Sequence, residues 1–414
     1  MPTPTRTMAR SLQRAPGRGS EDDGGAIAMA QDRCPDTRWA WVEIDKGALR
    51  RNTRAFKELL EPGVRMMAVV KADAYGHGAV QCAKVMHAAG ADQFAVATVE
   101  EGIELREAGL TWPILILSEP PVECVQTLVE HDLMPSVYTQ EFALAYGECA
   151  AALGRIGRYH LALETGMTRI GVNWKDAAEF RHAIDFHRGL ECAGTFTHFA
   201  TADVPGDWTF ALQYRRFTEA VADMRGKGLE CGLVHCDNTP ATVLYPDTHL
   251  DMCRVGVGLY GMQPADSTRP HITLDPVMSV RARVTRVVYP EAGAGVSYGQ
   301  TYTVARQNTQ VATIPVGYAD GLARTLSDKM DVLVHGTRCP QVGHICMDQC
   351  MFAVDVNPRR AVRPMDEVQH GDLVTVLGAD GAERITAEEM AELRGTINYE
   401  VTCDFGLRLQ KVYV

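Results

Sequence analysis

Between residue 38 and about residue 275, short apolar runs alternate with segments whose apolar positions recur at helical spacing. The runs at 66–70, 94–97, 114–117, 134–137, 159–163, 192–196, 232–235 and 254–257 predict eight strands. Intervening stretches such as 99–105 carry the apolar repeat of an amphipathic helix. Eight alternations predict a parallel (β/α)8 TIM-type barrel. An open doubly wound sheet gives a similar pattern, but barrel active sites gather side chains from the C-terminal ends of many strands. Lys71, His198, Asn238 and Arg254 all fall at or beside strand ends, which favours the closed form.

After about Leu274 the texture becomes alternating β-branched runs, at 277–288, 310–315, 332–335, 351–356 and 373–377, separated by Gly and Pro turns. This predicts a mostly antiparallel β domain. One helical segment interrupts it, with Thr386 as the N-cap ahead of Glu388 and Glu389. The expected organisation is a disordered tail over 1–37, a barrel over 38–275 and a C-terminal β domain over 276–414. The tail is rich in Arg, Ser, Pro and Gly and carries Glu21, Asp22 and Asp23, an acidic patch that argues against a transit peptide. Met8 and Met29 offer later starts.

Charge and composition narrow the partners. A formal net charge of -11 opposes a sequence-independent grip on nucleic-acid phosphates, and no apolar stretch approaches the roughly 18 residues of a membrane span. The 12 cysteines contain no C-x-x-C pair and read as reduced thiols in a cytoplasmic protein.

The segment V-K-A-D-A-Y-G-H-G at 70–78 ends an apolar strand on a lysine. Burial penalises the charged form, and a lysine pushed toward neutrality becomes a nucleophile toward an aldehyde such as that of pyridoxal phosphate. A lysine at a barrel rim can equally snorkel to solvent. Tyr75 and the Gly76/Gly78 bend, directly after the strand, suit the ordering of a phosphate or of the lysine itself.

This segment resembles the pyridoxal-phosphate attachment motif of the alanine racemase family. T-G-M-T-R-I-G at 165–171, T-H-F-A-T-A-D at 197–203, H-C-D-N-T at 235–239 and R-V-G-V-G-L-Y-G at 254–261 also resemble family blocks. So do G-V-S-Y-G at 295–299, V-G-Y-A-D-G at 316–321, G-H-I-C-M-D-Q at 343–349 and T-I-N-Y-E at 396–400. They occur in family order from Trp39 to Val414, which makes the signal specific, and the family fold agrees with the barrel and β domain read from periodicity.

The resemblance implies a pyridoxal-phosphate-dependent racemase acting on L- and D-alanine. Lys71 would hold the cofactor covalently and serve as one base, and Tyr298 would serve as the other. Moving the α-proton from one face to the opposite one requires groups on both sides. Arg254 would face the ring nitrogen of the cofactor, supported by His235, with His198 packing against the ring. Tyr75, Asn238, Thr239, Tyr399 and the backbone at Gly256 would line the cofactor and its phosphate. Arg169 would contact the ring hydroxyl side and the substrate carboxylate, Met347 would bind that carboxylate through its N–H, and Tyr318 would stand at the entrance. Family members are homodimers, so Tyr298, Tyr318 and Met347 would act in the partner's site. D-alanine for peptidoglycan is the implied role.

The chain departs from the family pattern at four positions. Many members brace the arginine with a carbamylated lysine two residues before an aspartate; here Ala162 and Glu164 occupy those places. Arg169 must therefore lean on something else, either a chloride in the vacated space or Glu164. Asp237 stands where a small residue is common. Lys411 replaces a usual arginine and reads as structural. Racemases of broader specificity also lack the lysine, which keeps a serine or broad-spectrum racemase open. A decarboxylase or a non-catalytic cofactor-binding protein is a further alternative.

Overall fold

The computed structural model describes residues 37–355, 367–406 and 408–414, so the expectation for the 1–37 tail falls outside it apart from residue 37. Eight parallel strands form the first sheet: β2 (Arg65–Val69), β3 (Gln93–Val96), β4 (Ile114–Ile116), β5 (Met134–Val137), β6 (Gly157–Glu164), β8 (Leu190–Phe196), β9 (Leu233–His235) and β10 (Met252–Val255). The remaining labels belong to β1 (Ala40–Ile44) and to β7 (Val172–Asn173), a two-residue strand beside β6. Each of the eight runs read from the sequence coincides with one barrel strand.

Strand β10 pairs with β2, bringing the last strand round to the first. Between β9 and β10 no ladder forms, and hydrogen bonds from the connecting segment close the seam. Asp251 N–H donates to the Val234 carbonyl at 3.0 Å, Val234 N–H to Asp251 Oδ2 at 2.8 Å, and Arg254 N–H to the Asp237 carbonyl at 3.1 Å. The barrel is thus nearly closed, and Met66, Ala68, Phe94, Leu115, Val137 and Leu161 are buried. Side-chain caps start several outer helices, with Asp45, Thr98, Thr139 and Asp207 each accepting a first-turn N–H.

The second sheet runs in the order Arg286–Val288, Thr309–Ile314, Cys350–Asp355, Thr337–Val342, Asp331–Val334, Leu373–Asp380, Met278–Arg283, Ala40–Ile44 and Gln410–Tyr413. All neighbours are antiparallel except the last pair. The run at 277–288 divides at Val284. Strand β1 lies within the range expected for the barrel, yet it belongs to this sheet, between Met278–Arg283 and Gln410–Tyr413. The last helical pattern is present as Ala387–Arg394, with Thr386 accepting from Glu389 N–H. The described cysteines are free thiols, and no described helix is long and apolar enough to cross a membrane.

Candidate active site

Strand β2 delivers Lys71 into an unusual turn. Ala72, Asp73, Ala74 and Tyr75 all have positive φ, at 51°, 51°, 55° and 53°. Left-handed backbone costs L-residues about 1–2 kcal/mol each, so the surroundings must impose it. Glu101 Oε1 accepts from Ala72 N–H at 2.6 Å, and Asp73 Oδ1 accepts from Ala79 N–H at 2.8 Å. At Gly76, φ 84°, a Cβ would lie 2.2 Å from the Thr402 carbonyl oxygen, so glycine is required by both conformation and space. Burial, reinforced by Arg169, lowers the pKa of Lys71 and favours the neutral, nucleophilic amine.

Lys71 opens onto a cavity of about 650 Å³ at the C-terminal ends of the barrel strands, where Tyr75, Ala162, Arg169, His198, Asn238, Thr239, Arg254, Gly256 and Tyr399 also line the wall. The structure therefore gathers nearly all the expected cofactor residues. His235 lies behind the wall, against Arg254. Tyr298, Tyr318 and Met347 are not part of this cavity; they sit on the β domain, 72%, 41% and 53% exposed.

The buried Arg254 guanidinium is held on three sides. Its Nη1 donates to His235 Nδ1 at 2.9 Å, and its Nη2 donates to the Thr197 carbonyl at 2.7 Å, the Cys236 carbonyl at 3.0 Å and His198 Nδ1 at 3.2 Å. Arginine cannot accept, so both histidines face it with a lone pair. His235 then carries its proton on Nε2 and donates it to His160 Nδ1 at 2.9 Å. All three rings are thereby neutral, and burial beside Arg254 pushes His198 and His235 well below the usual histidine value and His160 to about 3. Burial lowers Arg254 to about 10, which leaves it a cation at neutral pH.

His160 was not among the residues singled out from sequence. Its signal was available: on β6 it stands two residues before Ala162 and so shares that residue's inward face. Gly194 on the neighbouring strand makes room for it, since a Cβ there would lie 2.4 Å from His160 Nδ1.

The cavity fits a phosphorylated pyridine aldehyde. Among the described residues, Lys71 Nζ, the hydroxyls of Tyr75 and Tyr399, and Arg254 Nε have no hydrogen-bond partner, and all four residues line it. Gly256 N–H donates to Thr239 Oγ1 at 2.9 Å, and a Cβ on Gly256 would lie 2.6 Å from the Tyr75 hydroxyl. That is a close backbone-and-hydroxyl cradle suited to a phosphate. The Asn238 amide is spent on structure: Oδ1 accepts from Ala241 N–H, and Nδ2 donates to the Phe199 carbonyl.

The chain matches the alanine racemase N-terminal domain over residues 44–264 and the alanine racemase C-terminal domain over 277–413. It is 41% identical to alanine racemase of Nostoc sp. over 392 residues, covering 93% of this chain and 99% of that one. The chain belongs to the alanine racemase family. Solved family members share its fold. Alanine racemase from Bacillus anthracis, solved with bound L-Ala-P, has a TM-score of 0.85 at 34% identity, covering 92% of this chain and 96% of that chain. The Streptomyces coelicolor alanine racemase has a TM-score of 0.82 at 36% identity, covering 91% and 98%.

Two departures from the family pattern have definite surroundings. The Glu164 carboxylate accepts from the N–H groups of Gly166, Thr168 at 2.6 Å and Arg169 at 3.3 Å. It braces the loop backbone that carries Arg169 and forms neither a hydrogen bond nor an ion pair with the guanidinium. Asp237 is fully buried, with Thr248 Oγ1 donating to it at 2.8 Å and His249 Nε2 4.0 Å away. His249 Nε2 and Cys253 lie close enough to suggest a metal cluster, but both already bond backbone carbonyls.

Loss of solvation pushes the Asp237 carboxyl up to about 6, overriding the stabilising Thr248 hydroxyl and His249. Its folded value exceeds the ordinary 3.8, so the associated stability is complete below about pH 4 and lost as the pH rises through 6. Asp237→Asn is expected to exceed wild type by roughly 3 kcal/mol at pH 8 and to match it near pH 4. Denaturant melts at both pH values check this.

Proposed function

We propose that this protein interconverts L-alanine and D-alanine with pyridoxal 5'-phosphate, using Lys71 and Tyr298 as opposed acid/base groups. The observation that carries the proposal is the pairing of Lys71, lowered toward neutrality at the cavity wall, with Arg254, a fixed cation in the same wall. When bound, pyridoxal phosphate supplies a conjugated ring that delocalises the electron pair left at the α-carbon.

The chain's own groups do the rest. The hydroxyls of Tyr75, Thr239 and Tyr399 would hold the phosphate, with the Gly256 N–H bracing the Thr239 oxygen so that its proton is left to donate. Arg254 would face the ring nitrogen; because an arginine does not give up its proton, that nitrogen would stay unprotonated, which would limit the ring as an electron sink and disfavour transamination. Arg169 draws the substrate carboxylate toward Lys71, whose Nζ exchanges the α-proton on one face.

The opposite face needs the Tyr298 phenol, and the substrate carboxylate needs Met347 N–H. Tyr298, Tyr318 and Met347 lie exposed on the β domain and outside the cavity, which supports a homodimer in which each β domain completes the partner's site. Three tyrosines, Tyr298, Tyr318 and Tyr399, would crowd such a site and favour a methyl side chain. The implied product is D-alanine for peptidoglycan, made in the cytoplasm.

A parallel assay of L-alanine, L-serine and L-lysine tests the substrate. Loss of optical activity is expected for alanine at least about tenfold faster than for the others. Comparable loss for serine or lysine would make it a broad-spectrum racemase, and carbon dioxide release would make it a decarboxylase.

A further inference from the structure

The left-handed turn that carries Lys71 is gripped from outside the barrel by Gln410–Tyr413, a strand of the second sheet. Lys411 Nζ donates to Asp73 Oδ2 at 2.7 Å, and its side chain is 14% exposed. The same carboxylate accepts from Ala79 N–H through its other oxygen, and the Asp73 carbonyl accepts from Gly78 N–H at 2.8 Å. Asp73 is therefore the knot of the turn. Tyr413 adds a second contact, donating from its hydroxyl to the His77 carbonyl at 3.4 Å. A Cβ on Gly78 would lie 1.8 Å from the Tyr413 hydroxyl and 3.4 Å from Lys411 Cδ, so the strand packs directly on the bend.

Lys71 immediately precedes the first left-handed residue, so the turn sets the direction of its side chain. Left to itself, the sequence A-D-A-Y has no preference for this conformation. We propose that Lys411 is a positioning residue for Lys71: its ion pair with Asp73 ties the C-terminal strand to the strained turn and fixes where Nζ stands in the cavity. Its place in the second sheet secures the anchor. Lys411 is in register with Val42 of β1, which also pairs with Met278–Arg283. The positive charge and length of the side chain are the properties that count, so arginine should substitute.

The proposal rests on Lys71 being the cofactor lysine, and the test separates the two. Lys411→Met, Lys411→Arg and Asp73→Asn are compared in full-length protein with Arg51→Met, which breaks the exposed Arg51–Asp275 pair elsewhere. Three quantities are read: kcat and KM for alanine, the rate at which apoprotein captures pyridoxal phosphate in borohydride-reducible form on Lys71, and amide hydrogen exchange over 72–79. Lys411→Met is expected to lower kcat and the capture rate by about tenfold or more, with KM within about twofold, and to speed exchange in the turn. Lys411→Arg and Arg51→Met should behave as wild type. Asp73→Asn combined with Lys411→Met should be little worse than either alone.

A Lys411→Met protein with a lower melting temperature but wild-type kcat, capture rate and exchange would overturn the proposal, as would strictly additive losses. Failure of wild type to racemise alanine while capturing cofactor on Lys71 would count against the functional reading only.

Discussion

Lys71→Ala is expected to abolish covalent capture of pyridoxal phosphate and to reduce racemisation by on the order of 10³-fold or more. Two separate roles are lost at once: the amine that bonds the cofactor and the base on one face of the substrate. The fold should survive, because Lys71 Nζ has no hydrogen-bond partner among the described residues and its neighbours hold the turn through Asp73, Glu101 and Gly76. Borohydride reduction followed by peptide mapping reads the capture. A stable adduct on another lysine in the variant would assign the attachment elsewhere.

Tyr298→Phe should separate binding from chemistry. Its ring is exposed on the β domain and does not line the cofactor cavity of its own chain, so cofactor capture should match wild type. Racemisation should fall by on the order of 10³-fold, since the phenol oxygen is the group proposed to exchange a proton on the opposite face. Mixing the two inactive variants gives a sharper result. If Lys71 and Tyr298 of different chains share a site, a heterodimer of the two variants contains one intact site, and random pairing restores about a quarter of wild-type activity. If both act within one chain, the mixture stays inactive.

Much of the fold was legible because the barrel signal is local: each strand is an apolar run, and several of the helices that follow carry their own side-chain cap. Strand β1 was not. Its five buried residues, Ala40–Ile44, read equally well in either sheet, and only partners far along the chain, Met278–Arg283 and Gln410–Tyr413, decide between them. Thr337–Val342 was missed because Pro340 and alternating polar residues mask its strand pattern. At the site, the lysine and glycines of the 70–78 motif announced a bend, but its left-handed sense at Ala72 to Tyr75 comes from Glu101, Thr402 and Lys411 pressing on it. Propensity carries no trace of such contacts. The sequence placed His160 on the inward face of β6, but its role follows from its partner, His235 on β9, two strands along the barrel wall.

The measurement that bears most directly on the account is the fate of L-alanine in D₂O with cofactor-loaded protein, followed together by polarimetry and by proton NMR of the α-position. Removal and return of the α-proton on two faces predicts decay of rotation to zero, with deuterium entering the α-carbon of both enantiomers and no carbon dioxide released. Retained rotation with an unexchanged α-proton, or loss of the carboxyl group, would contradict it.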